Sequence, residues 1–571
     1  MSPTKLTIGV TGHRDPHPDD VAAAEAALDA VLADLQQRLP DTALQLACGL
    51  ADGADRLAAR VALRRRIPVI ALLPEPLDEY CGDFTAASLA EFHTLLATPG
   101  VNQVSLPACP GENAGESLYH RLGEHLARKS NILVVLWDGA RTGRAGGTAE
   151  VLLRFLHALP ELETLDPEIE LVDGSSDEAR GPDFACWIPM RRQGNGNAVR
   201  PIAREKIVSG NLGPGRVQLH DRFPDELATI LRELNAFNHQ FRALAPSAGD
   251  CTVLALPPGS SRRAGCSLVD FADEFSKADY LAVYNQRRSD RVFQLTGWLA
   301  VTMGLSFLVY AKLWPLPFLL YSYVMAFIAA VAITHVARRR HWFSRHLMYR
   351  VVAEAARTRF FLGLAGVAGR VDLPRLLDVT GISHFAGFSW IIHVLRAAEP
   401  WVDTTAVASN VSMEQLGNVR RDWIDDQAAY FKAKVARLTG RYQVFEKLKT
   451  LLLTALLVVA ISLLAFKEPL AQVIVLPTVS LKTFMIFLMG FLPLAFGVWE
   501  VYQHKMATRE LLWQYRNQAE YFRVAAAKLR RVQSPESARS IVEQLGYTCL
   551  VDGFLWALHR YHREHEPAAA G

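Results

Sequence analysis

The sequence predicts an α/β Rossmann-like domain with a parallel sheet, followed by an all-α membrane region with four transmembrane helices in two hairpins. Three observations support this fold class. Strands and helices alternate in the amino-terminal part, glycines follow several strand ends, and four long apolar stretches carry no formal charge. The mean hydropathy is +0.10 and 21% of the 571 residues are charged, so soluble and membrane parts must coexist.

The alternation is read from short apolar runs, which predict buried strands, and from longer Ala/Leu-rich segments, which predict helices. Parallel strands joined by helices form a doubly wound sheet. The predicted strands are residues 5–11, 43–48, 68–73, 131–137 and 184–190, and helices are predicted at 19–39 and in a segment that ends at residue 65. We expect an acidic surface insertion at 159–180 and a polar, irregular segment at 191–258.

Glycine-rich turns follow three of the predicted strands. Open α/β sheets bind ligands at this edge, where a helix amino terminus directs N–H groups at a phosphate. The turns contain Gly12, His13 and Arg14; Gly49, Gly53 and Asp55; and Asp138 and Gly139 followed by Gly146, Gly147, Thr148 and Glu150. Neither a GxGxxG nor a GxxxxGK[ST] motif is present, which disfavours NAD redox chemistry and NTP hydrolysis. Ordinary turn structure or helix capping is the alternative for single residues, Asp55 and Asp83 in particular.

The four charge-free stretches are long enough to cross a bilayer. They are residues 292–311, 313–337, 450–466 and 483–499. Arginines and lysines flank the outer ends of both pairs, and no secretory signal is recognisable at the start, so both termini are expected in the cytoplasm of a multi-pass inner-membrane protein. Buried core helices of a soluble protein are the alternative, more so for the second pair, whose stretches have seventeen residues each.

A repeated motif, YRxxAExxR, follows each pair of stretches, from Tyr349 to Arg357 and from Tyr515 to Arg523. On a helix its Arg and Glu lie four residues apart and can pair. We interpret this as duplication of a unit with two spans and flanking helices; two generic amphipathic helices are the alternative. The predicted domains are residues 1–258 (α/β domain with the ligand site), 259–365 (first unit), 366–423 (helical linker region) and 424–571 (second unit).

The duplicated unit resembles the SLATT membrane effectors, two-span modules that accompany nucleotide-sensing domains in bacterial conflict systems. The fragments GVTGHRD, CGLADGADRLAA, LLPEPLDEYCGDF, LYHRLGEHLARKSNILVVLWDG and GGTAEV resemble the SLOG superfamily, which includes the DprA-type and LOG-type domains. That resemblance implies a nucleotide or NAD-derived ligand held by the turn residues above. Together the two resemblances lead to the hypothesis of a homo-oligomeric sensor that permeabilises the membrane in an antiphage response.

LOG enzymes cleave nucleoside monophosphates at the N-glycosidic bond with an arginine and a glutamate around a PGGxGTxxE loop. Arg144 and Glu150 stand at the corresponding places, but this loop lacks the proline and is shorter, which favours binding over catalysis. A membrane-tethered N-glycosidase and a constitutive small-solute channel remain alternatives. The scattered cysteines predict no metal site, and we expect neither a cofactor nor nucleic-acid binding.

Overall fold

The structure is a computed structural model, and its residues group into two compact units that each draw on separate parts of the chain. The first unit comprises Met1–Leu281, Met348–Gln415 and Val542–Gly571, and the second comprises Ala282–Leu347 and Leu416–Ile541. The structure describes residues 3–106, 116–140, 146–157, 170–173, 183–193, 203–210, 216–256, 267–371, 376, 386–399, 411–506 and 508–565.

A mixed sheet forms the centre of the first unit, with nine strands among the described residues. The strands are β1 Lys5–Gly12, β2 Ala43–Cys48, β3 Val69–Leu73, β4 Val101–Ser105, β5 Ile132–Trp137, β6 Glu170–Asp173, β7 Phe184–Pro189, β8 Lys206–Ser209 and β9 Arg216–His220. Their spatial order is β4-β3-β2-β1-β5-β7-β8-β9-β6. Neighbours from β4 to β7 are parallel, which confirms the predicted α/β class for this part of the sheet.

Helices connect these strands and follow the last one. They are α1 Pro18–Arg38, α2 Ala54–Arg64, α3 Leu77–Tyr80, α4 Ala86–Leu96, α5 Glu116–Lys129, α6 Thr148–Phe155 and α7 Asp225–Leu244. Leu122 and Leu126 of α5 and Leu152 of α6 join a core with Val135 and Ala185 on one sheet face. Successive side chains of a strand point to opposite faces of the sheet. Side chains on the other face are buried too, so both faces of the sheet are covered.

The sheet is not wholly parallel, because β8 pairs antiparallel with both β7 and β9. Only six residues separate β8 from β9, a hairpin-length connection, whereas a parallel pair needs a crossover of a dozen or more residues. The expectation of an irregular segment at 191–258 is therefore wrong, since it contains β8, β9 and the helix α7. The described part of the predicted acidic insertion, Glu170–Asp173, is strand β6 at the sheet edge.

Strand β4 was not predicted from the sequence. It reads VNQVS, and its Asn102 and Gln103 are exposed, as suits the polar edge of a sheet. The segment is a strand because it pairs with β3. Its sequence contains no continuous apolar run from which a strand could be predicted.

The remaining helices of the chain include the apolar ones. They are α8 Ser267–Lys312, α9 Pro317–Arg340, α10 Trp342–Leu364, α11 Ala386–Ala398, α12 Met413–Val419, α13 Asp426–Ala465, α14 Lys467–Gln472, α15 Leu481–Met506, α16 Thr508–Leu529 and α17 Pro535–His565. Within the first unit, α11 packs against α7 and β1.

Four helical stretches among the described residues are long and apolar enough to cross a membrane, and each overlaps one predicted span. The second helix begins at Pro317, four residues after the predicted start at residue 313, and the third ends at Ala465, one residue before the predicted end. In the most apolar part of each helix, at most 6% of the residues are buried. Large apolar side chains are exposed along them, including Trp298 (71%), Tyr321 (71%) and Leu464 (85%). Such surface is unfavourable in water and suits a lipid environment, so the chain is a membrane protein with an α/β domain.

Two glycines bring helices of the second unit close together. A Cβ on Gly304 of α8 would overlap the side chain of Leu494 on α15, and one on Gly490 would lie 2.8 Å from Leu308. At Gly497 of α15, by contrast, an added Cβ would have nothing within 4 Å. Gly304 and Gly490 therefore permit close contact between a helix of the first predicted hairpin and one of the second.

Both copies of the repeated motif lie in helices, α10 and α16. In the first copy Glu354 pairs with Arg350 at 2.5 Å, as the four-residue spacing predicts, and also with Arg357. In the second copy Glu520 pairs with Arg523 at 2.5 Å. The two copies fall in different compact units, so they have different surroundings.

Candidate functional site

The candidate site lies where the strand order reverses. The chain runs outward from β1 through β2 and β3 to β4 and then returns to β5 on the other side of β1. At such a switch point the connections after neighbouring strands diverge and leave a crevice at the carboxyl edge of the sheet. The turns after β1, β2 and β5 carry most of the predicted site residues, so the fold brings together segments that are distant in sequence.

His13 and Asp138 meet at this reversal point. Both are buried, with 7% and 1% of their surface exposed, and His13 Nε2 lies 3.1 Å from both the backbone nitrogen and Oδ1 of Asp138. The His13 backbone N–H donates to the Leu136 carbonyl at 3.2 Å. The strand ends of β1 and β5 are thus tied together by the two residues that follow them.

The Asp138 carboxylate has one engaged and one unengaged oxygen. Oδ1 accepts from the Ala140 N–H at 2.9 Å, whereas buried Oδ2 has no hydrogen-bond partner among the described residues. Burial raises the pKa of this carboxyl, but contacts with His13 and the Ala140 N–H outweigh burial, and the net pKa is below the usual range. A buried ionised oxygen without a partner favours a donor, such as a hydroxyl group of a ligand. Gly139, which follows at φ +88°, turns the chain away from the strand.

The turn after β2 is locked against the turn after β1. Gly53 has φ +77°, and a Cβ there would lie 2.5 Å from the carbonyl oxygens of His13 and Arg14. The Ala54 N–H donates to the His13 carbonyl at 3.0 Å, and a Cβ on Gly12 would lie 2.5 Å from that of Ala54. Only glycine permits this approach of backbone to backbone, which explains two of the predicted positions.

Asp55 lies buried in the first turn of α2, and Gly53 occupies the N-cap position without a side-chain hydrogen bond. The Ala51 N–H lies 3.4 Å from Asp55 Oδ2, and a Cβ on Gly49 would lie 3.2 Å from that same oxygen. Burial raises the pKa of Asp55 to about 6, against the opposing effects of backbone N–H groups and of Arg14. Asp83, the other predicted capping residue, instead accepts a hydrogen bond from the Tyr119 hydroxyl.

The turn before α6 is fixed by another glycine. Gly146 has φ +73°, and a Cβ there would overlap the backbone of Tyr119 on α5. Gly147 is the N-cap of α6 and Thr148 its first residue, again without a side-chain cap. Two helices, α2 and α6, therefore begin at this edge of the sheet with N–H groups that no capping side chain covers.

Glu150 is held by three neighbours. Its Oε2 accepts from the Gly146 N–H at 2.7 Å, and its Oε1 lies 2.9 Å from both Arg154 and His120. Burial raises its pKa, but Arg154, the Gly146 N–H and His120 outweigh burial and leave a net pKa below the usual range. This carboxylate stabilises the glycine turn. Arg144, its predicted partner in catalysis, lies outside the described residues.

Tyr119 and His120 are site residues that sequence reasoning missed. The Arg14 guanidinium lies over the Tyr119 ring, 4.5 Å from the centroid, and His120 contacts Glu150. Both belong to α5, a helix from which no pocket residue was predicted. No group of three or more metal-ligating side chains occurs in the part of the chain that the structure describes.

Taken together, the site offers a phosphate the starts of two helices and the exposed cation of Arg14, and it offers a hydroxyl group the carboxylate of Asp138.

No family model matches this chain. No curated protein matches it either. Among solved structures, the chain is similar to DNA processing protein A (DprA) from Streptococcus pneumoniae, with 19% identity and a TM-score of 0.20. That similarity covers 28% of this chain and 53% of the DprA chain, so the matched part spans about half the length of that protein.

Proposed function

We propose that this protein is a membrane effector in which a nucleotide or NAD-derived ligand binds at the β1–β5 switch point and alters the state of the transmembrane helices. The observation that carries the proposal is the pair of helix starts, α2 and α6, that meet the ends of β1 and β5 without side-chain caps. Such an arrangement suits a phosphate. The four apolar helices supply the output.

The ligand acts by differential affinity. A ligand shifts the helices toward an active arrangement only if it binds that arrangement more tightly than the resting one. An oligomer of the chain would then open a path for solutes, as the resemblance to conflict-system effectors implies. In this proposal both termini face the cytoplasm of the inner membrane, where nucleotide signals form.

A direct test reconstitutes the full chain in vesicles loaded with a self-quenching dye and adds AMP, ADP-ribose or NAD⁺. We expect at least one of these probes to increase dye release. The variant Arg14→Ala removes the exposed cation of the site and should weaken the response about tenfold or more. Arg64→Ala, at the other end of α2, is the matched control and should respond as the unmodified protein does.

Two outcomes would contradict the proposal. Dye release without nucleotide that is unchanged in Arg14→Ala would indicate a constitutive channel. Release of a free base from the nucleotide, detected by chromatography and abolished by Glu150→Gln, would indicate an N-glycosidase. The three contacts that hold Glu150 support binding over turnover, because they engage both of its oxygens in the turn.

Sidedness needs a separate measurement. Single cysteines at Thr478, in the turn between α14 and α15, and at Arg340, at the end of α9, can be labelled with a membrane-impermeant maleimide. We expect labelling of the first position in intact cells and of the second only after permeabilisation. The reverse pattern would place the α/β domain outside and remove access to cytoplasmic nucleotides.

A further inference from the structure

A cavity of about 340 Å³ lies within the second unit, between α8 and α9. Its lining residues come from α8, α9 and the first turn of α10: Arg288, Arg291, Val292, Leu295, Ala332, Ile333, Val336 and Trp342. The α8 residues are spaced three, four and seven positions from Arg288, so they form one stripe of that helix.

The cavity changes character along its length. Arg288 and Arg291 lie at the end of α8 where the charge-free stretch begins, and the lining residues farther along the helix, Val292 and Leu295, are apolar. The α9 residues are all apolar and belong to the last turns of its charge-free stretch, before the arginines at 338–340. Cations at the membrane boundary and apolar side chains beyond it match the polarity of a phospholipid.

The two arginines are not neutralised by protein carboxylates. Neither forms an ion pair within the described ranges, and both are exposed. The Arg288 guanidinium lies over two aromatic rings, 4.9 Å from the centroid of Tyr284 and 5.5 Å from that of Trp342. These rings hold the guanidinium in place while its N–H groups stay available for an anion. Asp290, the nearest acidic residue in sequence, is adjacent to Arg291 and does not share its stripe.

We propose that this cavity binds one anionic glycerophospholipid, with its phosphate between Arg288 and Arg291 and an acyl chain along Leu295, Ala332 and Val336. The half-exposed side chains of Leu295 (50%) and Val336 (48%) gain apolar contact from the chain. Two unneutralised guanidinium groups favour a net negative headgroup over a zwitterionic one. This site is separate from the proposed nucleotide site and does not depend on nucleotide binding.

The test uses the full chain, purified in detergent, stripped of lipid and titrated with phosphatidylglycerol or phosphatidylcholine under native mass spectrometry. The variant Arg288→Gln/Arg291→Gln removes both cations of the cavity. Arg338→Gln/Arg339→Gln is the matched control, since it removes two arginines that do not line the cavity. We expect the cavity variant to bind phosphatidylglycerol at least about tenfold more weakly, and the control to bind it as the unmodified protein does.

A second variant, Ala332→Trp, fills the apolar part and leaves both arginines in place. It keeps the proposal testable if the double variant does not fold, and it should lower phosphatidylglycerol retention without changing the unfolding midpoint by more than a few degrees. Millimolar inorganic phosphate or glycerol 3-phosphate should not displace the lipid, because neither occupies the apolar part.

Three results would overturn the proposal: equal loss of phosphatidylglycerol in the cavity and control variants, retention unchanged in Ala332→Trp, or displacement by inorganic phosphate. The first indicates general surface charge, and the last indicates a phosphate site without a lipid.

Discussion

Arg396 of α11 and Asp183, the residue before β7, form a buried ion pair although 213 positions separate them in the chain. Both side chains are 4% exposed, and Arg396 Nη1 lies 2.6 Å from Asp183 Oδ1. The same nitrogen donates to the Ser130 carbonyl at 2.9 Å. Burial raises the pKa of Asp183, but Arg396 and His157 outweigh burial and hold it far below the usual range. The pair ties α11 to the sheet within the first unit.

Replacing Arg396 with methionine should destabilise the first unit strongly. The change leaves the Asp183 charge buried without its main partner, and such losses cost about 3–5 kcal/mol. The measurement is the unfolding midpoint of the full chain in detergent. Arg38→Met removes an exposed i,i+4 pair with Asp34 and should cost less than about 1 kcal/mol. Equal midpoints for the two variants would show that the buried pair contributes no more than an exposed one.

Stability should fall in acid because of Glu399. Burial raises its pKa, but Arg359 and Lys129, the latter at 2.7 Å, outweigh burial and lower it to about 2. Since the folded-state pKa lies below the unfolded value of 4.5, the stabilisation is complete above about pH 5 and is lost as the pH falls toward 2. Unfolding at pH 7, 5 and 3 should therefore show a shrinking difference between the unmodified protein and Glu399→Gln. A constant difference would contradict this assignment.

Ligand affinity should rise as the pH falls from 7.5 to 5.5. Burial raises the pKa of Asp55 to about 6, so this carboxyl loses its negative charge over that range and repels an anionic ligand less. ADP-ribose is a suitable probe, because its pyrophosphate does not titrate there. We expect the slope of affinity against pH to flatten in Asp55→Asn, measured by calorimetry. An unchanged slope would assign the pH dependence to a group other than Asp55.

Replacing Gly53 with alanine should lower both stability and nucleotide binding, although the change adds only one methyl group. At φ +77° an added Cβ meets two carbonyl oxygens at 2.5 Å, so the turns after β1 and β2 must separate. We expect the free energy of unfolding to fall by roughly 1–3 kcal/mol. We also expect nucleotide binding to become too weak to measure. Gly82→Ala, where an added Cβ has nothing within 4 Å, is the control and should leave both unchanged. Normal binding in Gly53→Ala would show that this turn is not part of the site.

The contact between α8 and α15 can be tested at two glycines. Gly304→Leu places a side chain where the Leu494 side chain already lies, so the helices must move apart or repack. We expect the unfolding midpoint in detergent to fall by several degrees. Gly497→Leu adds the same side chain to α15 at a position with open space and should change the midpoint little. A similar fall in both variants would indicate an effect of side-chain size alone.

Prediction from the sequence succeeded where the determining interactions are local. The strands β3 and β5 are continuous apolar runs, β1 and β2 are mostly apolar, and each predicted span is long and free of charge. Glycines such as Gly53 and Gly146 were recognisable because glycine adopts a positive φ more readily than any other residue type. Helix α7 was missed although it lies in one continuous segment, since its polar face dominated the composition.

The sequence by itself therefore determined the α/β class, the apolar helices and the turns that surround the candidate site. Only the tertiary structure decided the antiparallel pairing of β8, the edge strand β4 and the partners of the buried charges. It also decided that Asp138 lies against His13, 125 positions away, and that Glu150 is held within its turn. Short segments of sequence determine local backbone preference and hydrophobicity. Pairing between distant segments depends instead on which surfaces the folded chain brings within a few ångströms of one another.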